Sequence, residues 1–427
     1  MAEKHSRVLV VAYYFPPMGT VGFLRNYHFT KCFSEICEDV YVITIRNISL
    51  KLNDNLKLET FNVHRICNYD YRNLMSFFSH KKNDVRKNIN SGSSSGFVKF
   101  FRKIIDSFPF NILIGEGGLL YIFNGTIKGI ELIRKYRITH LYTSYRPIAD
   151  HIIAFNLKLF FPKLKWIADF RDMPVDEFRQ NTFFPWLQKL FIKKLITKAK
   201  NVITVSNGLN ESMKLLRNDS ISIRNGIYKM YDISKTNKNS IFTISYTGSL
   251  YPEFQRPSLF FKAIRNLLKY NIFFSNEICI QYAGKDSEVW NREVNEFKLN
   301  SISVDLGELS LFESIKTQVN SDLLLFFSWS DENHKGILTG KLFEYLASGN
   351  PIFAIINGVK DNEIEEILDD YTDGMVFYND NLEKLESEIL NRFSKWKNNK
   401  IAIINNVPSE YIDSSWQRVK EDLRKLI

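Results

Sequence analysis

The sequence predicts an α/β protein made of two Rossmann-like halves, each a parallel sheet covered by helices. Two observations carry that prediction. Short β-branched or aromatic runs alternate with longer helical patterns along the chain, as parallel sheets require. The chain is also 427 residues long, beyond the ~250–300 residues at which single cores stop growing. Two domains are therefore expected. In the first half the strands are RVLVVAYY, DVYVITI, THLYTS, KWIADF and NVITVS; in the second they are FTISYTG, EICIQYAG, SVDLGE, DLLLFFS and PIFAII. The second set ends in small or polar residues, and ligands of such folds collect at the carboxyl ends of strands. The Asn-, Lys- and Ser-rich stretch from Ile223 to Ser240 is the expected linker, giving domains over 1–225 and 226–408. A polar stretch from Lys81 to Gly96 is expected as an excursion within the first half. The terminal segment 409–427 has Trp416, Val419, Leu423 and Leu426 on one helical face, suited to packing back on the first domain.

Composition narrows the function. A hydrophobic content of 44% supports large cores, and no run of ~18 apolar residues predicts a membrane span. The opening MAEKHSRVLVVAYYFPP passes from a polar lead into a strand with no signal-peptide cleavage site, so a cytoplasmic protein is expected. Cys32, Cys37, Cys67 and Cys279 lack zinc-ligand spacing and are expected as reduced thiols. The formal charge of +10, from 57 basic and 47 acidic residues, favours phosphates, nucleic acid or an anionic membrane. With no zinc finger or RNA-binding motif, nucleic acid is the weakest of these and is not expected as a partner. Gly96 to Phe110 and Phe183 to Ile196 mix aromatic with basic residues. Core packing and peripheral contact with an anionic membrane are both open for them.

One segment carries a sharper signal. In HKGILTGKLFEYLASGNPIF, Leu342, Tyr345 and Leu346 share a helical face, Gly349 is the expected C-cap and Pro351 forbids continuation. The helix start presents free N–H groups, with Thr339, Gly340 and Lys341 where an anion can sit. An ordinary surface helix with a solvated Lys and Glu is the alternative for this segment taken alone.

The motifs YYFPPMGTVGFLRN, YTSYRPIADHIIAF, WIADFRD, NVITVSNGLNESM, RNGIY, TGSLYPEFQRPSLFFKAI and GKLFEYLASGNPIF, in that order, resemble the GT-B glycosyltransferases. The similarity spans nearly the whole chain. It points to glycosyltransferase family 4, retaining enzymes of bacterial surface polysaccharide assembly. The resemblance implies two Rossmann-like domains facing a central cleft. It implies a nucleoside diphosphate sugar donor in the second domain and a glycan or lipid-linked acceptor in the first. No obligatory cofactor and no metal follow from it, and the location is cytoplasmic, including the inner face of the membrane. Donor residues are then Gly248, Ser249, Arg256, Thr339, Gly340, Lys341, Leu342 and Glu344. Glu344 matches the family's second motif acid, which commonly binds ribose hydroxyls. Lys341 and Arg256 are expected on the diphosphate. Two positions depart from the pattern: Ser249 replaces the usual Arg, and Gly336 stands where the first motif acid belongs, leaving Glu332 or the Gly336 backbone to substitute. Asp169, Arg171, Asp172 and His151 are the expected catalytic group, and Gly19, Gly22 and Arg25 the acceptor-side loop. An inactive sugar-nucleotide-binding scaffold and a sugar-nucleotide epimerase of similar architecture are the alternatives.

Overall fold

Strands buried on both faces need continuous apolar runs, and the central strands of this chain supply them. In the computed structural model of the chain, residues 6–17, 22–46, 61–68, 100, 103–175, 182–228, 233, 239–251, 253–270, 276–332, 334–371, 373–398 and 409–427 are described. The chain divides into two units, Met1–Asn225 with Trp416–Ile427, and Gly226–Ser415.

In the first unit, β1 (Arg7–Val11), α1 (Phe23–Ile36), β2 (Asp39–Ile45) and β3 (Asn62–Ile66) are followed by α2 (Phe110–Leu113) and α3 (Gly118–Tyr136). Next come β4 (His140–Tyr145), α4 (Ile148–Phe160), β5 (Lys165–Phe170), α5 (Pro185–Ile196), β6 (Asn201–Thr204), α6 (Asn207–Lys214) and β7 (Ile221–Ser222). The seven strands form one sheet in the order β3-β2-β1-β4-β5-β6-β7, and every pairing is parallel.

The second unit contains β8 (Phe242–Thr247), α7 (Ser258–Lys269), β9 (Ile278–Ala283), α8 (Ser287–Glu296), β10 (Ser303–Asp305), α9 (Leu311–Asn320) and β11 (Leu323–Ser330). It continues through α10 (Gly340–Ser348), β12 (Ile352–Gly358), α11 (Asn362–Tyr371), β13 (Met375–Tyr378) and α12 (Leu382–Lys397), and the last helix, α13 (Ser409–Arg424), is divided between the two units at Ser415. Its six strands form a second parallel sheet, β10-β9-β8-β11-β12-β13. The fold is therefore the α/β pair of Rossmann-like sheets that the alternating pattern predicts.

Strand order reverses between β1 and β4 in one sheet and between β8 and β11 in the other. Doubly wound folds bind ligands outside the carboxyl ends of the strands at such switch points. The sequence reading lacks β3, β7 and β13. All three are terminal in their sheets, and β3 and β13 are mostly half-buried, so their patterns are weaker than those of buried strands. Lys81 to Gly96 lies outside the described residues. No helix among the described residues is long and apolar enough to cross a membrane.

Val419, Leu423 and Leu426 join Val8, Phe33 and Tyr142 in the first unit's core, while Trp416 stacks on His28 with ring centroids 4.5 Å apart. The boundary between units falls inside α13, whose Ser415 Oγ accepts the Ile227 N–H at 3.0 Å. Leu423 is fully buried. Leu423→Ala should destabilise the first unit by about 2–4 kcal/mol, through lost apolar burial and the cavity left behind. Denaturant unfolding checks this, and an unchanged transition would mean that the terminal helix does not seal this core.

Candidate functional site

The second unit's switch point gathers a compact set of polar groups between the end of β8 and the start of α10. The helix begins after Thr339, whose extended backbone (φ −93°, ψ 154°) marks the N-cap but whose side chain makes no capping bond. Thr339 Oγ1 is a buried atom with no hydrogen-bond partner. At the other end Gly349 adopts φ 75°, left-handed, and closes the helix, because glycine enters that region without a Cβ clash.

Lys341 does not extend into solvent. It is half-buried and lies against Gly248, where a Cβ would fall 2.5 Å from its Cε and 2.6 Å from its Nζ. Gly248 also holds φ 126°, so residue type there is constrained by both conformation and space. The Lys341 ammonium donates to the Tyr246 hydroxyl and, at 3.4 Å, to the Ser249 carbonyl oxygen. It sits 4.1 Å from the centroid of the Tyr246 ring, a cation–π contact. Burial draws its pKa down to about 7, opposed by the charges of Glu344 and Asp286.

Glu344 lies one helical turn further on. Burial raises its pKa, while a contact from Gln318 Nε2 at 3.5 Å and the Lys341 charge oppose the rise. The fully buried Gln318 also donates to Thr247 Oγ1 at 2.9 Å, and its own Oε1 has no partner. Tyr345 fastens the helix to the strand: its hydroxyl accepts from Thr247 N at 2.8 Å and donates to Thr247 O at 3.1 Å. Asp286 holds the following turn by accepting the Leu250 N–H at 2.9 Å. Gln318, Tyr246 and Asp286 have no mark in the sequence, and Tyr345 is marked there only as part of the helix's apolar face. Nothing in a single chain marks which polar side chains turn inward, and their partners are far away in sequence.

Several expected donor residues stand differently. The Leu342 side chain is fully buried in the core, and its amide donates to the Thr339 carbonyl at 3.1 Å. The Gly336 N–H donates to buried Asp361 at 2.8 Å and its carbonyl accepts the Leu338 N–H at 2.9 Å, so both backbone groups are engaged within the chain. Glu332 is exposed beside Lys335, 3.8 Å away. Arg256 is exposed, and its carbonyl accepts from Asn357 Nδ2 at 3.3 Å. No contact among the described residues joins its guanidinium to Lys341 or Glu344.

In the first unit, the expected catalytic and acceptor-side groups are largely internal. Asp169 and Arg25 are 0% and 2% exposed and form a bidentate ion pair at 2.8 and 2.9 Å. Tyr142 and Ser144 donate to the same carboxylate at 2.7 and 2.9 Å, and Arg25 also reaches Asn225 Oδ1 at 2.8 Å. Burial raises the Asp169 pKa, but Arg25 and Tyr142 outweigh it and hold the carboxyl below its ordinary value. This pair ties α1 to β4 and β5, and neither member is open to a substrate. His151 is likewise internal: it is fully buried against Phe170 and Trp166, bonded through Nδ1 to Thr143 Oγ1 at 2.8 Å. Burial takes its pKa down to about 3, so it is a neutral core residue that cannot reach solvent for proton transfer. Arg171 binds the carbonyls of Tyr145, Gly22 and Arg146, fastening the loops after β1 and β4. Asp172 alone of this group is exposed. Gly19 lies outside the described residues.

Removing one partner of a buried ion pair leaves an uncompensated charge. Arg25→Ala should therefore destabilise the first unit by about 3–5 kcal/mol, a shift readily seen in chemical denaturation. An effect within experimental error would show that the pair is not buried as described.

Among the described residues no group of His, Cys, Asp and Glu could hold a metal ion. No protein-family model and no curated protein matches the chain. Solved structures do. Sucrose-phosphate synthase from Thermosynechococcus elongatus superposes with a TM-score of 0.56 at 11% identity, covering 99% of this chain and 98% of that one. An E. coli trehalose-6-phosphate structure bound with UDP-2-fluoro glucose gives 0.55 at 10% identity over 99% and 100%. A mutant of S. aureus TarM in complex with fondaparinux, alpha-GlcNAc-glycerol and UDP gives 0.52 at 11% identity over 97% and 100%. At these identities the likeness establishes architecture, and it does so across nearly the full chain: this is the two-domain GT-B fold.

Proposed function

We propose that the protein is a retaining glycosyltransferase of the family 4 type. It takes a hexosyl group from a nucleoside diphosphate sugar and passes it to a glycan or lipid-linked acceptor in bacterial surface polysaccharide assembly. The observation that carries the reading is Lys341, packed on Gly248 at the start of α10 with Glu344 one turn away. A half-buried ammonium beside a helix N-terminus is a site for phosphate charge. Two solved structures of the same fold are complexes with UDP or UDP-2-fluoro glucose, which supports a uridine nucleotide as the first donor to try.

In this reading the diphosphate lies over Gly248 and Ser249. Lys341, the first amides of α10 and the free Thr339 hydroxyl stabilise the charge that grows on it as the sugar leaves. Glu344, acceptor-only when ionised, takes the ribose hydroxyls. Retention needs no pair of hydrolase-type carboxylates. The departing diphosphate assists removal of the acceptor proton, and the protein's share is orientation and charge stabilisation. Arg256 is proposed to reach the diphosphate from its exposed position, and Asp172 to meet acceptor groups. No cofactor or metal is assigned a step, and the proposed location is cytoplasmic.

A second reading, an inactive sugar-nucleotide-binding protein, is favoured by one feature. The first acid position is glycine, and its amide is already engaged with Asp361. Donor turnover with an added acceptor separates the two.

A calorimetric screen of nucleoside diphosphate sugars, beginning with UDP-glucose, tests the site. Losing a charge-assisted hydrogen bond costs about 1.5–3 kcal/mol, so Lys341→Ala should weaken donor binding by roughly 10- to 150-fold, and Glu344→Ala should also weaken it. Wild-type affinity in both variants would overturn the assignment.

A further inference from the structure

The outer face of α5 combines features that the donor site does not use. Trp186 and Leu190 stand one turn apart and are 65% and 59% exposed, with Phe184, just before the helix, 57% exposed. Helical geometry places Lys189 and Lys193 on one side of the Trp186–Leu190 row and Lys194 on the other. The opposite face, carrying Gln188, Ile192, Leu195 and Ile196, is buried in the first unit. Phe183 extends the apolar patch to Phe100, with ring centroids 5.6 Å apart, and Lys103 lies 5.1 Å from the Phe183 ring. From Thr182 to Lys200 the chain carries five lysines and no carboxylate.

We propose that this face docks on an anionic lipid surface. Phe184, Trp186 and Leu190 enter the acyl boundary while the flanking lysines meet lipid phosphates. Aromatic and aliphatic groups at the tip with cations along the sides match the two layers of a membrane interface, the long lysine stems bridging them. Like charge disfavours a second copy of the same face as the occupant. No nucleic-acid-binding motif accompanies the patch, which disfavours nucleic acid as the occupant. The inference deepens the proposed function by making the acceptor's surroundings a membrane. It rests on that reading only for its biological meaning.

Sedimentation of the full chain with vesicles of phosphatidylcholine, alone or mixed with phosphatidylglycerol, tests it. The wild type is expected to sediment with the mixed vesicles, in a salt-sensitive way, and to stay in solution with phosphatidylcholine alone. Each lysine near such a surface is worth roughly a fivefold change in partitioning, so the double variant Lys193→Glu with Lys194→Glu should lose at least tenfold. The pair Trp186→Ser with Leu190→Ser should lose binding while keeping the wild-type melting temperature, since both side chains are exposed. Donor binding should be unchanged in both double variants. Absence of wild-type sedimentation, equal sedimentation of the variants, or a wild-type dimer that the serine variant dissolves would overturn the proposal. Failure here with intact donor binding leaves the donor site standing, and loss of donor binding in Lys341→Ala with vesicle binding intact keeps the two claims apart.

Discussion

The candidate site depends on where Lys341 is allowed to lie. A lysine at the start of a helix ordinarily extends into water, and this one is instead laid across a glycine at the end of β8. Taking an ammonium partly out of water is unfavourable, and its lowered pKa is the measure of that cost. What offsets it is local: the Tyr246 hydroxyl and ring, the Ser249 carbonyl, and the charges of Glu344 and Asp286. The surrounding architecture serves this placement. Tyr345 fixes the helix to Thr247, Gln318 bridges Thr247 to Glu344, and the left-handed Gly349 ends the helix after nine residues. An anionic ligand at this point would complete a set of interactions that the protein alone supplies only in part.

The first unit uses its charged residues differently. Asp169, expected from sequence in the catalytic group, and Arg25, expected on the acceptor side, are consumed by each other and by Tyr142, Ser144 and Asn225. Arg171 is occupied with three carbonyls. These contacts hold the loops after β1, β4 and β5 in fixed positions. A polar network of this kind is stable only while each member is satisfied, so its role is to hold the strand-end loops.

Much of the fold was legible because central parallel strands must be apolar on both faces, and runs such as LVV in β1 and LLLFF in β11 have no other economical use in an α/β chain. The edge strands escaped because β7 has two residues and β3 pairs on one side only. The limits of α10 could be read from Gly349 and Pro351. Its depth could not: helical periodicity locates Lys341 and Glu344 on one side, but the contact with Gly248 spans the intervening chain and appears only once the sheet is assembled. Burial was the quantity least available from sequence. His151 and Asp169 have the residue types of catalysis and the surroundings of a core, and one chain does not distinguish the two.

Burial lowers the proton affinity of Lys341, and a bound diphosphate's negative charge is expected to restore it. Donor binding to the wild type and to Lys341→Met, measured across pH in buffers of different ionisation enthalpy, tests this directly. With a free-protein pKa of about 7, affinity should be level below that value and fall as pH rises above it, with proton uptake on binding. Both effects should vanish in the methionine variant. Donor binding that takes up no proton and shows the same pH dependence in both proteins would contradict the central claim that Lys341 meets the diphosphate.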